Sequence, residues 1–412
     1  LAPAIAGLNA IVRGTQAVTV TSITTTAGQF DQARQADPTN KDAQLGFAVS
    51  EAVLASVQVA GLGGGTIIPA ARSANSALLS PTARTAQLSQ ALVLWRLPQF
   101  LSNGGAAAWP RAAEFLPTSA LTAQMSPRSS SVTPVQVQTA LTALDANLVQ
   151  VEAALKVVES DPNYTYTLAD PSKTGDATAT VKIGGAEIQL LSAVVSTVRS
   201  VANAGLAYNA DPGAFSFKAQ VPTGILSGAL VSPAQYLPAG PFLTLASDGA
   251  ARMGNVHSEL NSTALSGIAA IDSVRTRSNA GFLLNPGTLV SSDQLSQLQA
   301  QIAVYQTYLT GSQTVPLTLN GTTINTRVNL SAFLDHPPAD LRVLLPTLPT
   351  STDSSGLTSL TMNGFPDKTF GGIFPDGLPM KPISFHLPVS LNGASNGVTY
   401  SDVIGFALTL HT

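Results

Sequence analysis

Apolar residues recur three and four apart through most of residues 1–310, and two apart afterwards. Those two periods are the signatures of amphipathic helices and of half-buried strands. The clearest helical stripe is Leu141, Leu144, Leu148, Val151, Leu155 and Val158. It predicts a helix capped by Thr133 or Thr139 and ended by Asp161-Pro162-Asn163. A second stripe, Ile188, Leu191, Val195, Val198 and Ala202, is opened by Gly184-Gly185 and fades near Tyr208-Asn209. A third helix is predicted over 243–275, with Leu243, Ala246, Ala250, Met253, Leu260 and Ile271 facing inward. A fourth covers 293–309 through Leu295, Leu298, Ile302, Tyr305 and Leu309.

The N-terminal 60 residues also read as helices. Asp37-Pro38-Thr39-Asn40 is a turn that ends one helix and caps the next, predicted from Lys41 to about Val57. Gly14, Phe30, Ala33 and Pro38 fall at the small, aromatic, small and proline spacing of a tetratricopeptide hairpin, with no second copy at that period. Another helix is expected over 81–101, with Trp95 and Phe100 inward. Residues 102–134, rich in Gly, Ala, Pro and Ser, read as an ordered linker or long loop.

Strand signals come in three places. Tyr164, Tyr166 and Leu168 alternate, as do Ala179, Val181 and Ile183, predicting a hairpin with Asp170-Pro171 and Thr174-Gly175-Asp176 in its loop. After Gly311, the runs 315–319 and 322–330 flank Asn320-Gly321, a strong hairpin turn. Ile383, Phe385, Leu387, Val389 and Leu391 alternate with polar residues, as do Ile404, Phe406, Leu408 and Leu410. Pro388 lacks an N–H and favours an edge strand, where a strand from another subunit could pair. The predicted fold class is α+β: mainly helical, with tetratricopeptide-like hairpins and long packed helices, and a small β-rich C-terminal part. Three domains are expected. They are an N-terminal helical one (1–134), a long-helix one with a hairpin insertion near 163–184 (135–312), and the β-rich part (313–412).

Composition bears on partners. Only 10% of the 412 residues are charged, where roughly 25% is usual. The formal net charge is −3, and the 20 Lys and Arg are scattered singly. Without a basic run, a phosphate-tracking surface is not expected, so no nucleic-acid partner is predicted. Sparse charge also means little repulsion between neighbouring copies. Cysteine is absent, which excludes disulfides, thiolate metal sites and a cysteine nucleophile. The chain opens on Leu1 rather than Met, read as a mature exported chain, and no uninterrupted apolar run reaches the roughly 18–20 residues of a membrane helix.

Candidate chemistry is thin. His257, His336, His386 and His411 show no ligand or triad spacing. Gly61-Leu62-Gly63-Gly64-Gly65 has Thr66 where a dinucleotide fingerprint needs its last glycine, and it follows a helix, so it reads as a helix-ending loop. Asp335 with Asp340, and Asp367 with Asp376, are the nearest thing to calcium ligand pairs, but neither follows the alternating pattern of a calcium loop. The segment 363–382 mixes Gly, Pro and Phe365, Phe370 and Phe374, and reads as an aromatic-pinned loop over the core or a contact surface. Asn163, Asn261, Asn320 and Asn329 begin glycosylation patterns, and 347–361 is Ser- and Thr-rich with Pro, so glycan decoration is a possible modification. The expected site list is therefore empty: no catalytic, cofactor-binding or metal residue, and no cofactor.

Four segments together resemble an uncharacterised family of exported, lipoprotein-like bacterial proteins with tetratricopeptide-like N-terminal helices. They are Gln32-Ala-Arg-Gln-Ala-Asp-Pro-Thr-Asn40, Asp161-Pro-Asn-Tyr-Thr-Tyr-Thr-Leu168, the helix 187–209 ending in Ala207-Tyr208-Asn209, and Phe365-Pro-Asp-Lys-Thr-Phe-Gly-Gly-Ile-Phe-Pro375. The resemblance implies export and an extracellular or cell-surface location, and supplies no reaction. The expected function is that of a secreted, non-enzymatic structural protein, a self-assembling filament or cell-surface subunit whose partners are copies of itself. Two alternatives stand beside it: a tetratricopeptide-like module binding a peptide or exported ligand, and a hydrolase with no recognisable motif.

Overall fold

A computed structural model describes residues 1–12, 15–16, 19–63, 134–170, 178–212, 237, 240–277, 281–284, 292–319, 322–346, 350–352, 358–362, 365–377 and 383–386. The fold is mainly helical, with a few short strands toward the C-terminus. The helices are α1 (Ala2–Val12), α2 (Val20–Ala36), α3 (Lys41–Gly63), α4 (Pro134–Glu159), α5 (Gly185–Ala207), α6 (Gly249–Thr276), α7 (Ser292–Thr310) and α8 (Leu330–Asp335). The strands are β1 (Tyr166–Ala169), β2 (Thr180–Ile183), β3 (Gln313–Leu319), β4 (Thr322–Val328), β5 (Thr350–Thr352), β6 (Thr358–Met362) and β7 (Ile383–His386). They fall into two compact units, one of Leu1–Leu206 with Asn255–Thr307, the other of Ala207–Gly254 with Tyr308–Thr412.

In the first unit the predicted stripes are the core. Leu144, Leu148, Val151, Leu155 and Val158 of α4 are all buried, with Leu141 packed against them, and Ile188, Val195 and Ala202 of α5 are buried as well. Local signals set the helix ends. Thr19 accepts a hydrogen bond from the Ser22 N–H at 3.0 Å, and the Ser22 hydroxyl oxygen accepts one from the Thr19 N–H at 3.0 Å. That is a reciprocal capping box with Ser in the place usually taken by Glu or Gln. The Asp37–Asn40 turn behaves as its sequence implies: the Asp37 N–H closes α2 on Ala33 O, and Asn40 Oδ1 accepts from the Ala43 N–H to open α3. Phe30 is fully buried against Gly46, where an added Cβ would lie 2.1 Å from the ring. Only glycine lets α2 and α3 approach this closely.

β1 and β2 pair antiparallel with Leu168 opposite Val181, putting Tyr166, Leu168, Val181 and Ile183 on one buried face. Among the described helices, α5 alone is long and apolar enough to cross a membrane; 56% of its apolar window is buried inside the protein. It also carries Glu187, Arg199 and Asn203, all buried polar residues.

Four boundaries differ from expectation. α3 continues to Gly63, so Gly61-Leu62-Gly63 forms its last turn instead of a loop; a glycine costs a helix only about 1 kcal/mol. α4 starts at Pro134, whose fixed φ suits a first helical position. Thr139 is thus inside α4, its hydroxyl donating to Val135 O, and it caps nothing. Thr133 lies outside the described residues. α6 starts at Gly249, so Leu243 and Ala246 precede it. Leu243 has φ 63° and its carbonyl accepts from the Leu341 N–H, while the Leu245 N–H donates to Ala339 O. This stretch therefore bridges to its neighbours in the second unit as extended chain, and its apolar residues only mimic a helical period. β4 ends at Val328, and Asn329 caps α8, so Leu330 is helical.

In the second unit, β3 and β4 pair from Gln313↔Val328 to Leu319↔Thr322, leaving two residues between them as the turn signal requires. β5, β6 and β7 form a three-stranded antiparallel sheet. The expected helix over 81–101, the linker 102–134, Pro388 and the alternating runs 387–391 and 404–410 lie outside the described residues.

Candidate functional site

The densest polar chemistry is a seam inside the first unit, between α4, α5 and α6. α4 presents Asp145, Glu152, Lys156 and Glu159 along one side; α5 presents Ser192, Ser196, Arg199 and Asn203; α6 contributes Glu259. Arg199 is the hub. Its Nη1 donates to both Glu152 and Glu259, and its Nε donates to Asp145 at 3.3 Å. Asn203 Nδ2 donates to Asp145 at 3.0 Å, and Lys156 pairs with Glu152 at 2.8 Å. The Ser192 hydroxyl donates to Glu159. Burial pushes the Glu259 carboxyl up in pKa, and Arg199 offsets this only in part. Burial raises Glu159 too, against the Ser192 bond. Lys156 is raised mainly by its bond to Glu152. Glu259 Oε2 is buried and has no hydrogen-bond partner.

A second buried ion pair locks the mouth of α5. Glu187 accepts from the Gly184 N–H at 2.9 Å, from the Leu284 N–H at 2.8 Å, and from both terminal nitrogens of Arg277 at 2.8 and 2.9 Å. The Arg277 guanidinium also stacks on Phe282, 4.5 Å from its centroid. Beside this pair, Leu45 and Val49 of α3 face Ile188, Leu191 and Val194 of α5 across an apolar crevice of about 40 Å³. Ligand pockets usually reach roughly 300–1,000 Å³, so this is a packing defect in scale. It carries no Asn, Arg or Tyr of the kind a peptide-holding groove needs.

At the start of α3, the Tyr164 hydroxyl donates to Asp42 at 2.7 Å and Lys41 pairs with Asp161 at 2.8 Å, tying the turn after α4 to α3. Burial and the Asp42 charge push the Tyr166 phenol up to about 12.

The residues singled out from sequence do not assemble a site. His257 lies on α6, His336 caps the end of α8 through its N–H to Ala332 O, and His386 ends β7 opposite Ser359; His411 is outside the described residues. Among the described residues no group of three or more His, Asp or Glu is placed to hold a metal ion. Asp340 caps the turn 341–344 and pairs with Arg342 at 2.8 Å, which lowers its carboxyl. Asp376 pairs with Arg327, again lowering the acid. Asp367 organises the aromatic loop. Burial alone would raise its pKa, but the Thr369 hydroxyl and the N–H groups of Gly371 and Thr369 outweigh it and hold the acid down. Phe370, Gly371 and Gly372 all have positive φ, and the Phe365 and Phe370 rings meet edge to face at 5.3 Å. Gly371 lies against Phe333 and Pro338, so this segment is a connector pinned onto its own unit.

The seam was not anticipated, although its signal is present. Asp145, Glu152 and Glu159 are seven apart, and Ser192, Ser196, Arg199 and Asn203 are three or four apart. Each set forms a polar row on one side of a helix. No family model, curated protein or solved structure matches the chain.

Proposed function

We propose that this chain is an extracellular structural protein that associates with copies of itself, as the subunit of a fibre or of a cell-surface layer. One observation carries the reading. Eleven Lys and Arg fall among the described residues, and nine of them, all but Lys182 and Lys368, sit in an ion pair with a carboxylate. Most cations among the described residues are therefore neutralised internally, and they leave little unpaired charge to hold copies apart. Partly exposed Val135, Val149, Leu265 and Val304 add apolar surface that an intermolecular contact would bury. No catalytic residue, cofactor or nucleic-acid partner is assigned.

The test is mass against concentration, by light scattering on sized fractions, with electron microscopy of the heaviest. Self-association that grows with concentration and changes little with salt is expected, because the driving contact is apolar and uncharged. A monodisperse monomer across the whole range would overturn the proposal.

A further inference from the structure

We propose that the α4–α5–α6 seam is a proton-linked latch: Glu259, buried with one carboxylate oxygen unpartnered, is the acid that takes up a proton, and the helical unit is most stable when that proton is bound. The geometry gives the reason. Among the described residues, four carboxylates, Asp145, Glu152, Glu159 and Glu259, face two cations, Arg199 and Lys156. A buried excess of negative charge is costly, and neutralising one acid relieves it.

Glu259 is the acid best placed to accept the proton. Asp145 is held by both Arg199 and Asn203, and Glu152 by both Arg199 and Lys156. Glu259 shares Arg199, is the least exposed of the three at 8% of its side chain, and keeps Oε2 unpartnered. Its remaining polar neighbour is Ser196. Among the described residues, the other charges that act on it come from α4: Glu152 and Asp145 push its carboxyl up, and Lys156 lies within range of its charge. His257 is two residues away on α6, about 200° around the helix. α7, which meets α6 through Gln306 and Asn261, brings Tyr305, a neutral phenol whose pKa burial raises.

The sign follows from linkage. Between the unfolded glutamate value and the raised folded one, the native state binds more protons than the unfolded state, so stability falls as pH rises through that window. The acids held low, Asp161, Asp340, Asp367 and Asp376, act below the ordinary aspartate value and do not mask it.

The experiment is a melting-temperature series from pH 4.5 to 8 on the full chain and on Glu259→Gln. The wild type should melt lower as pH rises, by a few °C over the window in which the linked proton is lost. Glu259→Gln should reduce that slope, leaving the part due to Glu51 and Glu159, which burial also raises, and should melt at least as high as wild type at neutral pH. The chain has six glutamates, so selective carboxyl-carbon labelling gives a second readout that needs no variant. The resonance of Glu259 should titrate above the exposed-glutamate value near 4.3. An unchanged slope in Glu259→Gln, or a Glu259 resonance titrating at or below that value, overturns the proposal; should the variant not fold, the resonance decides alone.

Discussion

Replacing Arg199 with Met keeps most of the side chain's volume and removes the charge that three carboxylates share. The consequences differ for each partner. Glu152 keeps Lys156, and Asp145 keeps Asn203. Glu259 loses the one cation it is bonded to among the described residues, in a site where 8% of its side chain is exposed, and keeps only the more distant charge of Lys156. Removing one member of a buried pair costs about 3–5 kcal/mol, because the survivor is left charged and poorly hydrated. The two rescued carboxylates, and protonation of Glu259 itself, place the expected loss at the lower end, about 3 kcal/mol near pH 7.5. Urea unfolding followed by far-UV circular dichroism measures it, with the m-value checking that the transition stays two-state. At pH 5 the deficit should shrink, since Glu259 then takes a proton more readily. The double variant Arg199→Met with Glu259→Gln should recover a large part of the loss, giving a coupling energy in a double-mutant cycle. A single variant within about 1 kcal/mol of wild type at pH 7.5, or a double variant that is merely additive, would refute the reasoning.

Two backbone predictions follow from glycine positions. Gly46→Ala should destabilise the α2–α3 pair by about 1–3 kcal/mol despite the better helix propensity of alanine, because the new Cβ meets the buried Phe30 ring and overpacking outweighs propensity; the urea midpoint reports it, and a stabilised variant would contradict the packing. Gly371→Ala places a side chain at φ 68° and 2.5 Å from Phe333, so amide hydrogen exchange over 369–374 should quicken while α4 stays protected; uniform protection would show the loop adapts.

The legible part of this fold is what local physics fixes. The stripe from Leu141 to Val158 announces α4 because its burial depends on period alone, and Asp37-Pro38-Thr39-Asn40 announces a helix stop and start because its bonds close within a few residues. What escapes is pairing at long range. Nothing near Gly46 in sequence says that the Phe30 ring will lie on it, and nothing near Glu259 says that Arg199, sixty residues away, will reach it. Polar rows on α4 and α5 are visible as rows, yet a row facing solvent and a row facing another helix look alike until the helices are docked. Leu243 and Ala246 show the reverse failure. Their spacing is helical, but hydrogen bonds to 339–341 and a left-handed Leu243 decide otherwise.

The placement of charge links the core to the proposed function. None of the five described glutamates is exposed: Glu187 and Glu259 are buried, and Glu51, Glu152 and Glu159 are half-buried. In most globular chains glutamate is a surface residue. Here the described glutamates lie in or at the edge of the core, four of them fixing how helices and the chain beside them meet, while uncharged Thr, Ser, Asn and Gln make up much of the polar composition. The two facts reinforce each other. Each buried ion pair removes both a cation and an anion from the surface, so the same substitutions that specify helix contacts also lower the repulsion between copies. Restoring surface charge tests this directly. Introducing lysines at Val135, Leu265 and Val304, exposed apolar positions of the helical unit, avoids Val149, which neighbours Asp145 and Glu152 on α4, and so leaves the seam untouched. It should weaken self-association without lowering the melting temperature, and association that persisted unchanged would place the contact elsewhere on the chain.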